Sequence, residues 1–276
     1  MLTILHISDL HFGPPYREQI GEKILNLAPT LRPDVIVISG DFTQRAKEEQ
    51  FRKASEFVSR LPDVPRIVVP GNHDVPLYRI VERFRDPHGM YQKYIHPELN
   101  HTVKVDGAAF VALDSTAPRR AITNGRIRQK QLDFCRDAFA QADDGTARIV
   151  VAHHPFATAP DYARDARQPQ ANRALEQFAE SQVDLILGGH LHRGYIGNSL
   201  DVFPSENDRN ILIVQSGTST SRRGRARETE RNSLNLITIA TDTIGVQHHM
   251  YLDETQRFEP TSHHLFPRAG KRLSNV

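Results

Sequence analysis

Short apolar runs alternate with longer amphipathic segments along most of the chain. The runs are rich in β-branched residues, which is typical of strands, and several are apolar throughout, as in strands covered on both faces. This alternation predicts an α/β fold. Strands are expected at residues 2–7, 35–39, 66–70, 108–113, 147–152, 183–187, 211–215, 234–240 and 246–252.

Between the strands, apolar residues recur at helical spacing. Phe51, Ala54, Val58 and Leu61 follow a three-and-four pattern flanked by charged side chains, which predicts a helix with one buried stripe. Weaker patterns of the same kind predict helices at residues 17–27, 129–141 and 171–182.

Three segments lack a clear pattern. Residues 75–101 are rich in aromatic and charged side chains, and either shape a substrate pocket or form a surface excursion whose aromatic rings pack on the core. Residues 221–231 are basic, have no apolar periodicity and are expected to form a mobile loop. We expect residues 1–253 to form one domain and residues 254–276 a loosely ordered tail.

Composition narrows the class of protein. The chain has 276 residues, of which 38% are hydrophobic and 25% charged, as in a soluble globular protein. The net charge of +2 is too small to predict nucleic acid as a partner. No signal peptide or apolar run long enough to span a membrane is evident, and the single cysteine, Cys135, is expected to be a buried, reduced thiol. We therefore expect a cytoplasmic protein.

Five of the apolar runs end in residues that bind metal ions. These motifs are Asp9-Leu10-His11, Gly40-Asp41, Gly71-Asn72-His73-Asp74, His153-His154-Pro155 and Gly189-His190-Leu191-His192. Because the loops after parallel strands converge at one edge of a sheet, these segments are expected to meet there. Glycines beside Asp41, Asn72 and His190 are expected to let the backbone turn sharply.

The ligand types indicate the kind of metal. Carboxylate, imidazole and amide groups without a thiolate suit manganese, iron, zinc or cobalt. Seven candidate ligands are too many for one such ion, but they fit two ions about 3.5–4 Å apart if one carboxylate is shared. The sequence therefore predicts a dinuclear metal site at the carboxyl ends of the strands.

The order and spacing of the motifs resemble the calcineurin-like metallophosphoesterase family, whose signature runs Asp-x-His, Gly-Asp, Gly-Asn-His-Glu/Asp, a lone His and Gly-His-x-His. The resemblance spans residue 1 to about residue 221, and the motif versions are similar to the branch with class III cyclic nucleotide phosphodiesterases and glycerophosphodiesterases. It implies a four-layer α-β-β-α sandwich, in which two packed mixed β-sheets are flanked by helices.

The resemblance also implies residue roles. Asp9, His11, Asp41 and His192 would hold the first divalent ion. Asp41, Asn72, His153 and His190 would hold the second. Manganese and iron are favoured, Asp41 bridges the ions, and a bridging water or hydroxide is the nucleophile. His153 is favoured over its neighbour His154 as the ligand.

Two catalytic residues lie outside the ligand set. His73 would contact the phosphate and assist the leaving group, and Asp74 would orient His73 or tune its charge.

The expected activity is hydrolysis of a small phosphate diester. Other activities of the same family remain alternatives: phosphomonoesterase, nuclease or nucleotide-sugar pyrophosphatase, with a non-catalytic scaffold less favoured. The arginines of residues 221–231 could hold a nucleic-acid strand or one substrate phosphate. Because Glu228 and Glu230 dilute that charge, a solvated loop is favoured and nucleic acid is not. The oligomeric state is left open.

Overall fold

The computed structural model describes residues 1–120, 124–158, 166–203 and 209–268. In chain order the elements are β1 (Leu2–Ile7), α1 (Glu18–Leu31), β2 (Val35–Ile38), α2 (Glu48–Ser59), β3 (Arg66–Val68), α3 (Ile80–Arg85), α4 (Gly89–Tyr94), β4 (His101–Val105), β5 (Ala108–Ala112), α5 (Gln129–Phe139), β6 (Ala147–Val151), α6 (Ala171–Glu180), β7 (Leu185–Gly188), β8 (Tyr195–Asn198), α7 (Ser199–Val202), β9 (Leu212–Gln215), β10 (Ser233–Ile239), β11 (Thr243–Leu252) and β12 (Arg257–Pro267). Single 3₁₀ turns occupy Asn72–Asp74 and Ala226–Glu228.

Among the described residues, no helix combines the length and apolar character needed to cross a membrane.

The strands form two six-stranded mixed sheets. The first has the order β12-β11-β10-β1-β2-β3, and the second the order β4-β5-β6-β7-β9-β8. In the first sheet β1, β2 and β3 are parallel, whereas β10, β11 and β12 pair antiparallel. In the second sheet β5, β6, β7 and β9 are parallel and both edge strands are antiparallel.

Three hydrophobic clusters stack the elements into layers. Ile4 of the first sheet and Phe110 of the second belong to the cluster between the sheets. Phe51 of α2 is buried in the cluster on the outer side of the first sheet, together with residues of α1. Phe178 of α6 is buried in the corresponding cluster on the second sheet, with residues of α5. The predicted α-β-β-α sandwich is confirmed.

The parallel strands place the predicted motifs at one edge. Register pairs Ile7 with Ile38 and Ile38 with Val68, so β1, β2 and β3 end side by side. In the second sheet Val151 pairs with Leu187, so β6 and β7 end together as well. The metal-binding motifs follow these strands directly, and therefore converge as expected.

All nine predicted strands are present within small shifts of their ends, and three further strands were not predicted. β4 and β8 are edge strands whose residues, apart from the buried His101, are partly buried or exposed, and β12 lies at the edge of the first sheet. Because an edge strand buries little of either face, it leaves a weak apolar pattern in the sequence.

The prediction of a loosely ordered tail from residue 254 is wrong for Arg257–Pro267. This segment is β12, which pairs with β11 from Leu252↔Arg257 to Thr243↔Pro267. Phe258 is 7% exposed and its ring lies 5.5 Å from that of Tyr251. Pro260, which indicated a loop in the sequence, sits beside a register shift at the sheet edge, where proline is tolerated. The domain therefore does not end at residue 253.

Residues 75–101 contain both kinds of surface that the sequence left open. Tyr91 of α4 is fully buried, and its ring packs edge-on against Phe42 at 6.0 Å. On and before α3, Tyr78 is 72% exposed and Phe84 48% exposed. The second half of the segment is thus a helical excursion packed on the core, while the first half presents aromatic rings to solvent.

Cys135 lies on the inner side of α5 and is fully buried. Burial raises the pKa of its thiol well above the ordinary value, because a thiolate there would lose its hydration. The predicted inert, reduced thiol agrees with this environment.

The ordered β12 leads to a stability prediction. Phe258→Ala should lower the free energy of unfolding by about 2–3 kcal/mol, because it removes a buried ring from the first sheet. Leu265→Ala, on the same strand but 53% exposed, should change it by less than about 0.5 kcal/mol. Urea unfolding of both variants measures the difference. Equal, near-neutral effects would mean that the segment contributes no packing.

Candidate metal centre

Four of the predicted ligands form a first donor group. Asp9, His11, Asp41 and His192 are buried, and one donor atom from each lies within 4.8 Å of the others. His192 Nε2 is 3.1 Å from Asp9 Oδ1 and 3.1 Å from His11 Nε2. This group corresponds to the first ion implied by the sequence motifs.

The remaining ligands form a second group next to it. The amide oxygen of Asn72 lies 3.2 Å from His153 Nε2 and 2.9 Å from His190 Nδ1. Asn72 and His153 are buried, and His190 is partly buried. The three side chains come from the ends of β3, β6 and β7, and so from both sheets.

Asp41 joins the two groups. Its Oδ2 atom is 3.7 Å from His11 Nε2 in the first group and 3.4 Å from His153 Nε2 in the second. Its other oxygen, Oδ1, accepts a hydrogen bond of 2.8 Å from the backbone N–H of His73. One carboxylate oxygen therefore faces both groups, which is the position of a shared ligand.

The buried oxygens fit a cation. Asp9 Oδ1 and Asp41 Oδ2 are buried and accept no hydrogen bond within the described part of the chain. Leaving carboxylate oxygens buried in this way is costly unless positive charge approaches them. Histidine nitrogens surround both atoms at 3.1–3.7 Å, so the oxygens and nitrogens point inward at the same space.

The outer nitrogens of two histidines are held by backbone carbonyls. His153 Nδ1 donates to Ser39 O at 2.8 Å, and His192 Nδ1 donates to Arg223 O at 2.9 Å. This leaves the Nε2 lone pair of each ring directed into the donor groups, which is how proteins orient metal-binding histidines. The donor set is therefore suited to two divalent cations.

The pKa values of the histidines at the centre reflect both their burial and the negative charge of the nearby carboxylates. Burial lowers the pKa of His153, but the Asp41 carboxylate, the Asp9 carboxylate and the Ser39 carbonyl together outweigh burial and raise that pKa to about 9. Burial lowers the pKa of His11 and of His190 to about 3. At neutral pH the rings of His11 and His190 thus offer lone pairs, and a proton on His153 takes the place of a cation beside Asp41.

Most of the ligands adopt a strained backbone conformation. The left-handed residues are Asp9 (φ 53°), His11 (φ 52°), Asp41 (φ 54°), His190 (φ 73°) and His192 (φ 56°). Non-glycine residues rarely adopt it, and it persists only where surrounding contacts impose it. Here Asp9 N–H donates to Gly40 O at 3.0 Å, and Thr218 Oγ1 donates to Asp9 O at 2.7 Å.

The glycines beside the ligands mostly serve close approach rather than sharp turning. Gly40 does turn, with φ 101°, and a Cβ there would lie 2.6 Å from His153 Nδ1. Gly71 has an ordinary φ of −103°, but a Cβ would overlap the Asp41 carboxylate. At Gly189 a Cβ would overlap Ser8 Oγ. The prediction of sharp turns is correct for Gly40, whereas Gly71 and Gly189 are needed for space.

His73 lies at the mouth of the centre, outside both donor groups. Its Nδ1 donates to the carbonyl oxygen of Gln44 at 2.9 Å, which leaves Nε2 facing the cleft. Its ring stands edge-on to that of His11 at 4.9 Å. Burial lowers the pKa of His73, with Asp41 opposing that effect and Arg223 adding to it.

The predicted role of Asp74 needs correction. Its carboxylate accepts hydrogen bonds from the backbone N–H groups of Phe42 (3.1 Å), Thr43 (2.8 Å) and Gly71 (2.9 Å). The group that orients the His73 ring is the Gln44 carbonyl. Burial, and next the nearby Asp41, raise the pKa of Asp74 to about 7. Asp74 therefore fastens the loop after β2 to the loop after β3.

Residues 221–231 are anchored to the centre, which corrects the expectation of a mobile, solvated loop. Arg223 Nη1 donates to Gln44 Oε1 at 3.0 Å and lies 3.0 Å from His73 Nε2. Glu228 is buried and accepts from Ser233 Oγ at 2.6 Å. The run of arginines makes this loop stand out in the sequence. The sequence has no pattern that shows which of these arginines faces the centre, so the position of Arg223 was not predicted.

His154 lies beside the second donor group. One of its ring nitrogens is within 4.8 Å of donor atoms of His153 and His190. Its Nδ1 is 2.8 Å from Ser115 Oγ, and its ring centroid is 4.9 Å from that of His190. His153, not His154, contacts both Asn72 and Asp41, which supports the preference for His153 as ligand.

The two donor groups form the floor of an open cleft of about 250 Å³. Its lining residues are Asp41, Asn72, His73, Asn124, Ala166, His190, Leu191, His192, Arg223 and Arg225. Carboxylate and imidazole groups lie below, and arginines lie along one side. The cleft suits a small anionic ester.

This geometry agrees with the comparison to known families. Residues 2–194 match the profile of the calcineurin-like phosphoesterases. The chain belongs to the calcineurin-like phosphoesterase family, whose members are hydrolases with a dinuclear metal site.

Individual relatives are distant. A cAMP/cGMP dual specificity phosphodiesterase of Mycobacterium tuberculosis is 26% identical over 268 residues, covering 88% of this chain and 77% of the relative. A probable glycerophosphodiester phosphodiesterase of Arcobacter nitrofigilis is 25% identical over 175 residues, covering 62% of this chain and 60% of the relative. The crystal structure of a dimetal phosphatase from Danio rerio has a TM-score of 0.65 at 12% identity, covering 97% of this chain and 99% of that one, and shows the fold.

The hydrogen bonds of Asp74 lead to a prediction about the stability of the metal-free protein. Asp74→Ala should lower the free energy of unfolding by about 3 kcal/mol, because it leaves several buried N–H groups without acceptors. It should also weaken metal binding, since the loops carrying Asp41 and Asn72 lose their link. Asp63→Ala, at a fully exposed carboxylate, is the matched control. Urea unfolding of metal-free protein and calorimetric metal titration measure both effects, and an Asp74 variant as stable as the control would contradict the role.

Proposed function

We propose that the protein is a dinuclear metal-dependent phosphodiesterase acting on cyclic nucleotide or glycerophosphodiester substrates. The observation that carries the proposal is the meeting of two donor groups at Asp41 Oδ2, with His73 and Arg223 beside them. The preference for diesters is supported by the two relatives above, whose names describe phosphodiesterases and whose similarity extends over 88% and 62% of this chain.

Each of the two donor groups would hold one cation, and Asp41 would belong to both. Asp9, His11, Asp41 and His192 would hold one divalent cation, and Asp41, Asn72, His153 and His190 the other. Bound there, two divalent cations would activate water and neutralise the charge that develops on the phosphoryl oxygens. Manganese and iron are the favoured pair, and zinc or cobalt also suits these ligands.

Arg223 and His73 would bind and orient the ester above this floor. The guanidinium of Arg223 has donors in a planar fork that matches two phosphate oxygens. In the free protein one of these donors is directed at His73 Nε2. A phosphate that takes the Arg223 donors would free the lone pair of His73 Nε2. That nitrogen could then take up a proton from solvent and pass the same proton to the leaving oxygen.

The structure gives less support to a nuclease than the basic sequence of residues 221–231 does. Two charged residues of the basic segment face inward, Arg223 toward His73 and Glu228 toward Ser233. Arg222, Arg227 and Arg231 remain on the surface with Glu230 among them, and Arg225 is exposed at the rim of the cleft. A nucleic-acid strand on that surface would bind with steep salt dependence, whereas a single phosphate on Arg223 would not.

A substrate comparison tests the proposal. Metal-reconstituted protein should hydrolyse bis-4-nitrophenyl phosphate, cyclic AMP or a glycerophosphodiester with a higher kcat/KM than 4-nitrophenyl phosphate or single-stranded DNA. Removal of metal with a chelator should abolish the activity, and added divalent metal should restore it. A faster reaction with the monoester would overturn the diester assignment. A metal-loaded protein that cleaves none of these substrates would overturn the assignment as an enzyme.

Arg223 offers a test with an adjacent control. Arg223→Ala should lower kcat/KM for the diester by about 10–100-fold, the loss expected for a hydrogen bond to a charged group. Its metal content should not change, because the contact to His192 comes from the backbone carbonyl. Arg222→Ala, at the exposed neighbouring position, should stay near the wild-type rate. Steady-state kinetics and metal analysis of both variants decide this, and equal rates for the two would remove Arg223 from the site.

A further inference from the structure

A second concentration of positive charge lies near the metal centre and takes no part in it. Arg119, Arg120, Arg126 and Arg128 line a pocket of about 490 Å³ together with prolines at positions 87 and 118. Arg126 and Arg128 are partly buried, whereas Arg119 and Arg120 are exposed. We call this the arginine pocket.

Among the residues that the structure describes, no carboxylate lines the arginine pocket. Within the described residues these arginines form no ion pair, and their donors go instead to neutral oxygens. Arg128 donates to Thr116 O at 3.2 Å, and Arg126 donates to Gln170 Oε1 at 3.1 Å. The Nε of Arg126 is buried and makes no hydrogen bond within the described part of the chain. The positive charge of the pocket is therefore available to an anion.

The backbone of residues 118–120, which forms part of the pocket wall, is held by hydrogen bonds to α3. Arg83 of α3 donates through Nη2 to Arg120 O at 2.9 Å and through Nε to Pro118 O. In return Arg119 Nη2 donates to Phe84 O at 3.2 Å. These bonds connect residues 118–120 to α3. Their acceptors are neutral carbonyl oxygens, so they leave the positive charge of the arginines unpaired. A site with fixed donors binds at lower entropic cost than free surface side chains.

The arginine pocket adjoins the metal centre. Asn124 lines the cleft over the metal ligands, and Arg126, two residues later, lines the pocket. Two residues of extended chain span at most about 7 Å. Between them Gly125 packs directly on the ring of His154, where a Cβ would overlap the imidazole. Ser115 closes the wall, since its carbonyl accepts from Arg126 N–H at 2.7 Å and its hydroxyl contacts His154.

We propose that the arginine pocket is a subsite for a second phosphate group of the substrate whose diester lies at the metal centre. This rests on the proposed phosphodiesterase function and deepens it, because phosphodiesters that carry a second phosphate group would be the preferred substrates. Guanidinium groups bind phosphate through paired, charge-assisted hydrogen bonds, and partial burial strengthens them. The second phosphate could be a terminal group on a small nucleotide or the next phosphodiester of a short strand.

A matched pair of substrates tests the subsite. Thymidine 5′-(4-nitrophenyl phosphate) and its 3′-phosphorylated derivative differ in one phosphate and release the same chromophore. In wild-type protein kcat/KM should be roughly tenfold or more higher for the 3′-phosphorylated substrate, mainly through a lower KM. The advantage should shrink as sodium chloride is added. Equal values for the two substrates would overturn the proposal.

Variants locate the effect. The double variant Arg126→Gln/Arg128→Gln should reduce the ratio of the two kcat/KM values toward one. Arg119→Gln/Arg120→Gln, at exposed positions that fold readily, should also reduce it. Arg52→Gln, an exposed arginine on α2, should leave the ratio at the wild-type value. An undiminished ratio in both double variants would overturn the assignment to this pocket.

A binding measurement separates this proposal from the proposed activity. Calorimetry on metal-loaded protein should show tighter binding of thymidine 3′,5′-bisphosphate than of thymidine 5′-monophosphate, with the difference lost in Arg126→Gln/Arg128→Gln. This result would hold even if no diester were cleaved, and its absence would overturn the subsite alone. Adding thymidine di- and tetranucleotides distinguishes the sources: a gain with strand length points to the next phosphodiester, and a gain only with the 3′-phosphate points to a small nucleotide.

Discussion

The structure depends on two carboxylates, Asp9 and Asp41, buried side by side at the edge where the two sheets meet. Burying charge is unfavourable unless opposite charge or hydrogen-bond donors accompany it. One oxygen of each carboxylate is held, Asp9 Oδ2 by the N–H of His190 and Asp41 Oδ1 by the N–H of His73. The other oxygen of each faces only imidazole nitrogens and accepts no hydrogen bond in the described part of the chain. Positive charge beside those two oxygens offsets the cost of burying them.

The surrounding backbone is arranged to maintain this unfavourable geometry. Five of the candidate ligands have left-handed backbone conformations, and Gly71 leaves room for the Asp41 carboxylate. The hydroxyl groups of Thr218 and Thr220 bind backbone carbonyls of the loop after β1 and hold that loop in place. Strain of this kind is retained where the neighbouring structure imposes it, and it clusters at functional sites. The two packed sheets supply that rigidity, because the ligands come from the ends of strands in both.

Much of the fold, and the meeting of the candidate ligands at one edge, could be predicted from the sequence, for a physical reason. Buried parallel strands leave continuous apolar runs, and residues such as Asp9, Asp41 and His153 follow those runs directly. Edge strands such as β12 bury little and leave no such trace. The position of Arg223, the bonds of Asp74 and the arginine pocket arise from contacts between distant segments, which spacing along one chain does not encode. Resemblance to the family indicated which residues would bind metal. It also assigned Asp74 to His73, whereas the structure connects Asp74 to the backbone N–H groups of Phe42, Thr43 and Gly71.

The central claim is that Asp41 is shared between two cations. Anomalous X-ray diffraction from crystals grown with manganese measures this most directly. Two manganese peaks about 3.5–4 Å apart are expected, one beside His11 and His192 and the other beside Asn72 and His153, with the Asp41 carboxylate between them. A single peak, or two peaks of which only one contacts Asp41, would contradict it.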